Sequence, residues 1–139
     1  MRYNTVYINK ESHKFSIAHY TIFSATERER LHGHNYSVTA RLVAPLGNNG
    51  FSADYNVYKD LIKGACDALD EHMVLAKYSP HQSIVEEDGC YFVRFSDETF
   101  SFLCSDTLLL PIRNVTVEEL SYYLLEKLSG DLTKGGLVE

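Results

Sequence analysis

Cysteine is scarce in this chain and poorly spaced for cross-linking. Cys66, Cys90 and Cys104 are odd in number and lack CxxC spacing, which argues against both a disulfide framework and a thiolate zinc site. Cys66 falls on the apolar side of a predicted helix, the ordinary place for a small buried hydrophobe. Long apolar runs are missing too. None approaches the roughly 20 residues that span a bilayer, and Met1-Arg2-Tyr3-Asn4-Thr5-Val6 has no signal-peptide core, so no membrane partner is expected and a cytoplasmic location is. Basic charge is in deficit: 13 Lys and Arg stand against 19 Asp and Glu, a net charge of -6. Long-range attraction to nucleic acid is therefore not supported. A phosphate-bearing ligand would need a local basic cluster, for which Arg28 and Arg30, with Lys10 and Lys14 nearby in sequence, are the candidates. Internal repeats, low-complexity tracts and linkers are absent, and one domain over residues 1–139 is the expectation.

What is present reads as an α+β fold. Residues 3–9, 14–20 and 36–44 are strand candidates by alternation, with the polar segment Thr21 to Arg30 as the connection between the last two. Asp54 can cap a helix running to about Leu69, with Val57, Leu61, Ile62, Ala65 and Leu69 as its buried stripe. Short strands follow from Ser83 to Cys104, turning at Asp88-Gly89 and Ser96-Asp97-Glu98. Thr116-Val117-Glu118-Glu119 fits a capping box for a second helix carrying Leu120, Tyr123, Leu124 and Leu128, with Gly130 as its predicted stop. The expected architecture is an antiparallel sheet with two helices packed on one face. Sheet edges left open in a single copy predict assembly of several copies into a closed barrel.

The chemistry centres on His32-Gly33-His34. In a strand these imidazoles leave from the same face, and a neighbouring strand carrying His19 can bring a third nitrogen to the same point. Three neutral imidazoles with one open position are the donor set of a catalytic zinc, able to polarise a substrate oxygen or acidify bound water. The competing interpretation for each histidine is a hydrogen-bonded core residue. For Glu29, between two arginines, it is a solvated loop acid. For Glu118 it is a first-turn acid that stabilises a helix N-terminus.

Four blocks in order resemble the 6-pyruvoyltetrahydropterin synthase and 6-carboxytetrahydropterin synthase superfamily, whose members share the tunnelling fold. They are Phe15-Ser16-Ile17-Ala18-His19, Leu31-His32-Gly33-His34-Asn35-Tyr36, Asp54-Tyr55 with Leu69-Asp70 and His72, and Asn114-Val115-Thr116-Val117-Glu118. The resemblance implies that His19, His32 and His34 hold Zn2+ and that a small-molecule dihydropterin presents its side-chain oxygens to the metal. It implies proton transfer by Asp70 and His72, seating of the pterin by Thr116 and Glu118, and a homohexamer built as a dimer of trimers. Relatives carry a cysteine base shortly before the HGH motif. Here that stretch reads Glu27-Arg28-Glu29-Arg30-Leu31. Glu29, three residues before His32, resembles the subgroup that cleaves 7,8-dihydroneopterin triphosphate to 6-hydroxymethyl-7,8-dihydropterin. Formation of 6-carboxytetrahydropterin or 6-pyruvoyltetrahydropterin is the alternative, and a non-catalytic zinc-binding or pterin-binding homologue is a further one. Glu71 separates Asp70 from His72, which leaves either a one-residue bulge or Glu71 itself in the histidine's place. The glutamate that grips the pterin's paired N–H donors in a last strand has Glu139 as its candidate.

Overall fold

The computed structural model describes residues 2–134. In chain order the elements are β1 (Arg2–His19), β2 (His32–Leu46), α1 (Tyr55–Leu69), β3 (His72–Ala76), β4 (Gln82–Glu87), β5 (Cys90–Phe95), β6 (Glu98–Leu103), a 3-10 turn (Cys104–Asp106), β7 (Thr107–Leu110) and α2 (Val117–Lys134). The expected α+β class holds. The two strand candidates at 3–9 and 14–20 are one strand, because Lys10, Glu11 and Ser12 are exposed and an extended backbone there needs no apolar side chains.

Four strands form one sheet in the order β2-β1-β3-β7, and β4-β5-β6 form a second. The larger sheet is mixed, where sequence alternation suggested antiparallel pairing. β1 runs parallel to β3, with Ile17 opposite His72, and β3 runs parallel to β7, with Met73 opposite Thr107. A parallel neighbour needs a long crossover, and the segments between these strands are long enough to supply it. The smaller sheet is antiparallel throughout, with Val93 opposite both Ile84 and Phe100.

The described chain divides into two compact units. The first takes in the described parts of Met1–Phe15 and Leu124–Glu139 together with Tyr36–Asp70. Within it, Asp54 Oδ1 accepts from the Asn56 N–H at 2.8 Å and opens α1. The buried residues of α1 are Tyr58, Ile62, Ala65, Cys66 and Leu69. Val57, expected in that stripe, is exposed. Burial goes to the larger Tyr58, whose hydroxyl lies 3.4 Å from Ser52 Oγ and so keeps a polar partner.

The second unit is Ser16–Asn35 with Glu71–Tyr123. Its core is Tyr20, Ile22, Met73, Leu75, Val93 and Phe95, with Ala18, Ile84, Phe100 and Phe102 packed against it. Asp88 and Gly89 both take positive φ (50° and 76°), as a type I′ hairpin turn requires. Ser96 turns the next hairpin at φ 54°. Thr116 Oγ1 accepts from the Glu119 N–H at 3.2 Å at the start of α2. The Glu119 carboxylate turns to Arg113 and accepts from its Nε at 2.5 Å. Gly130 does not stop α2, which continues to Lys134, since a mid-helix glycine costs only about 1 kcal/mol.

Candidate metal centre and its surroundings

All three candidate ligands lie in the second unit. His19 closes β1 on the face that buries His13, Phe15 and Ile17, and is itself 2% exposed. His32 and His34 open β2, two positions apart and both exposed. One ring nitrogen from each lies within 4.8 Å of the others. The His19 ring centroid is 4.8 Å from that of His32 and 5.4 Å from that of His34.

Backbone carbonyls orient two of the rings. His19 Nδ1 lies 3.1 Å from Val115 O, and His32 Nδ1 lies 2.6 Å from Arg30 O. A carbonyl oxygen can only accept, so both Nδ1 atoms carry the proton and both Nε2 atoms keep a lone pair. This is the outer support typical of metal-ligating histidines. Burial first, and then His32, lower the pKa of His19, against the opposing pull of the Val115 carbonyl and Glu29. A depressed pKa keeps the imidazole neutral, the ligand form. The donor set therefore fits a borderline divalent cation such as zinc.

The connection Thr21 to Arg30 folds back on itself. Ile22 and Arg28 form an antiparallel bridge, and the Glu29 N–H donates to Thr21 O at 2.8 Å. Ser24 Oγ accepts from the Thr26 and Glu27 N–H groups at 3.2 and 3.1 Å and shapes the turn between them. Glu29 Oε1 in turn accepts from the Thr21 N–H at 3.0 Å. The Thr21 side chain is the main cause that lowers the Glu29 pKa; partial burial opposes it, and the Thr21 N–H, His32 and His19 add to the lowering. Glu29 is thus a carboxylate within electrostatic reach of two candidate ligands. Arg28 fixes the loop from its other side. It donates to Glu98 at 3.1 and 3.0 Å and to Glu29 O at 2.9 Å, and its guanidinium lies 4.7 Å from the Phe100 ring centre. Arg28, Arg30, Tyr20, Leu31, Phe100 and neighbouring residues line a cleft of about 370 Å3.

Asn114 was legible only as part of a motif, and its bonding was not. Its Oδ1 accepts from the Ile22 N–H at 3.1 Å and from the Val115 N–H at 3.0 Å, while Nδ2 donates to Ile22 O at 2.8 Å. The side chain thereby acts as one rung of a strand partner. It holds Val115, whose carbonyl receives both the His19 ring and the Thr21 hydroxyl, the latter at 2.9 Å.

The remaining predicted residues take different positions. Asp70 follows α1, its N–H donating to Cys66 O at 3.0 Å. Glu71 adopts φ 60°, and its N–H donates to Ser16 O at 2.7 Å. The extra residue is thus taken up in a left-handed turn, and His72 enters β3 opposite Ile17. Thr116 caps α2, and Glu118 is exposed in its first turn. Glu139 lies outside the described residues.

These features define a class: an α+β protein with a three-histidine group able to hold a metal and an ionised carboxylate beside it. The profile of 6-pyruvoyl tetrahydropterin synthase matches residues 7–138, and the chain belongs to that family. A Methanocaldococcus jannaschii protein provisionally named 6-carboxy-5,6,7,8-tetrahydropterin synthase is 29% identical over 124 residues, covering 88% of this chain and 76% of the relative. Plasmodium vivax 6-pyruvoyltetrahydropterin synthase, in a variant described as replacing a catalytic glutamate with alanine, superposes with a TM-score of 0.90 at 28% identity. That match covers 99% of this chain and 84% of the other. The Plasmodium falciparum enzyme superposes with a TM-score of 0.85 at 28% identity, covering 95% and 84%. Among the described residues no helix is long and apolar enough to cross a membrane.

Proposed function

We propose that this protein is a zinc-dependent lyase or synthase acting on the side chain of 7,8-dihydroneopterin triphosphate or a related pterin, with 6-hydroxymethyl-7,8-dihydropterin as the favoured product. One observation carries the proposal: an ionised Glu29 is clamped to Thr21 beside the histidine group. The description of a catalytic glutamate in the Plasmodium vivax relative supports the same role for a glutamate here.

Zinc on His19, His32 and His34 would supply Lewis acidity to a side-chain oxygen of the substrate. Glu29 accepts the proton of the side-chain 2′-hydroxyl, the bond between C1′ and C2′ breaks as the new carbonyl forms, and its electron pair passes into the ring system. C1′ then regains a proton from His72, with Asp70 stabilising the imidazolium, so Asp70 and His72 return what Glu29 removed. Thr116 and Glu118 seat the ring. Glu139 accepts its paired N–H donors. One pterin synthase-like domain over 1–139, a cytoplasmic site of action, and a homohexamer of two trimers whose sheets join into a barrel complete the proposal.

The name of the Methanocaldococcus jannaschii relative favours a second product, 6-carboxytetrahydropterin. Incubation of the zinc-loaded protein with 7,8-dihydroneopterin triphosphate, followed by mass analysis, separates these products. Glu29→Gln is expected to lower turnover by about 10²- to 10⁴-fold, the usual share of a general base, while zinc stays bound. Turnover within about twofold of the parent would remove Glu29 from the chemistry; absence of any converted pterin would remove the enzyme.

A further inference from the structure

The hydrogen bonds that join the Glu29 carboxylate and the His19 ring meet at Thr21 and Val115, and Thr21 is a residue that no motif singles out. Thr21 gives its N–H to Glu29 Oε1 at 3.0 Å and takes the Glu29 N–H on its carbonyl at 2.8 Å. Its hydroxyl donates to Val115 O at 2.9 Å, and the same carbonyl accepts the His19 Nδ1–H at 3.1 Å. The separation along the chain is large, with Val115 94 residues from Thr21 and 96 from His19. The three groups therefore converge through tertiary structure and not through local sequence.

From this convergence we propose that Thr21 is a positioning residue shared by the metal ligand His19 and the base Glu29. The inference rests on the proposed function for the role of Glu29, and on the histidine group alone for the role of His19. The Val115 carbonyl has two lone pairs and serves two donors. Removing the hydroxyl leaves that carbonyl held by the His19 ring alone and releases the connecting segment on which Thr21 presents its backbone to Glu29. Both reacting partners then lose orientation together. Serine keeps the hydroxyl, whereas valine keeps the shape and loses it.

Thr21→Val, Thr21→Ser, Glu29→Gln and the double variant Thr21→Val with Glu29→Gln test this, on protein shown to be folded by its melting curve. Zinc affinity is read by chelator competition, and kcat and KM by product formation. Thr21→Val is expected to weaken zinc about tenfold and to lower kcat about tenfold with KM little changed, as second-sphere losses do. Thr21→Ser should restore both to within about twofold. In the Glu29→Gln background the kcat effect of Thr21→Val should shrink to the part that passes through His19, because the base it positions is already gone. Zinc affinity and kcat unchanged in folded Thr21→Val would overturn the proposal, as would a kcat loss that persists undiminished without the Glu29 carboxylate. Should Thr21→Val fail to fold, Thr21→Ala replaces it in the same comparisons. If the parent turns over no pterin at all, the proposed function fails while the zinc comparison still decides whether Thr21 supports His19.

Discussion

Asn114→Ala is expected to lower the melting temperature by about 10 °C. Three backbone groups lose their partner: the Ile22 N–H, the Ile22 carbonyl and the Val115 N–H. Ile22 is buried, and a buried polar group left unpaired costs about 1–3 kcal/mol. Partial solvent access at these positions argues for the lower end, about 1 kcal/mol each and about 3 kcal/mol together. An unfolding entropy of about 2.1 cal/mol/K per residue gives about 0.29 kcal/mol/K for 139 residues, hence the shift of about 10 °C. Asn114→Asp keeps an acceptor for both N–H groups and loses only the donor to Ile22 O, so roughly a third of the shift is expected. Differential scanning calorimetry on the metal-free protein measures both. A loss below about 3 °C for Asn114→Ala would show that solvent replaces these bonds at little cost and that Asn114 does not hold Val115 in place.

Two further outcomes are expected. His13 is 3% exposed in the first unit, and burial, then Lys63, Lys10 and Lys59, depress its pKa below the usual 6.5. Its unfolded form then binds more protons than its folded form, so this contribution to stability is complete above about pH 6.5 and is lost as pH falls through the folded pKa. Urea midpoints measured from neutral to acid pH should fall less steeply for His13→Leu than for the parent; an equal slope would assign the acid loss to other groups. Arg30 lines the cleft and forms no ion pair with a described residue. If the cleft receives the triphosphate, Arg30→Gln should raise KM about fivefold, the worth of roughly 1 kcal/mol for an exposed charge pair. The KM for unphosphorylated 7,8-dihydroneopterin should stay put, and an equal rise for both would refute this assignment.

Local pattern revealed the parts of this fold that local chemistry decides. The Asp54 cap, the Asp88-Gly89 turn and the Thr116 cap each rest on residues a few positions apart, and all three form as expected. The i, i+2 spacing of His32 and His34 likewise put two rings on one strand face, and His19 joins them. Strand partners are another matter. Alternation identifies a strand without naming its neighbour, so the parallel register of β3 with β1 and β7 was hidden. In α1 Ile62, Ala65 and Leu69 are buried as expected, and the stripe differs at its start because apolarity alone ranks Val57 with Tyr58, whereas packing favours the larger ring. The return of Thr21 to Arg30 on itself depends on Asn114, which is 92 residues from Ile22, a distance no periodicity spans.

X-ray absorption at the zinc edge of the reconstituted protein tests the histidine centre most directly. Three imidazole nitrogens at about 2.0–2.1 Å and no sulfur at about 2.3 Å are predicted, with one zinc per chain and its loss in His32→Ala. A sulfur scatterer, or zinc retained at full stoichiometry without His32, would contradict the account.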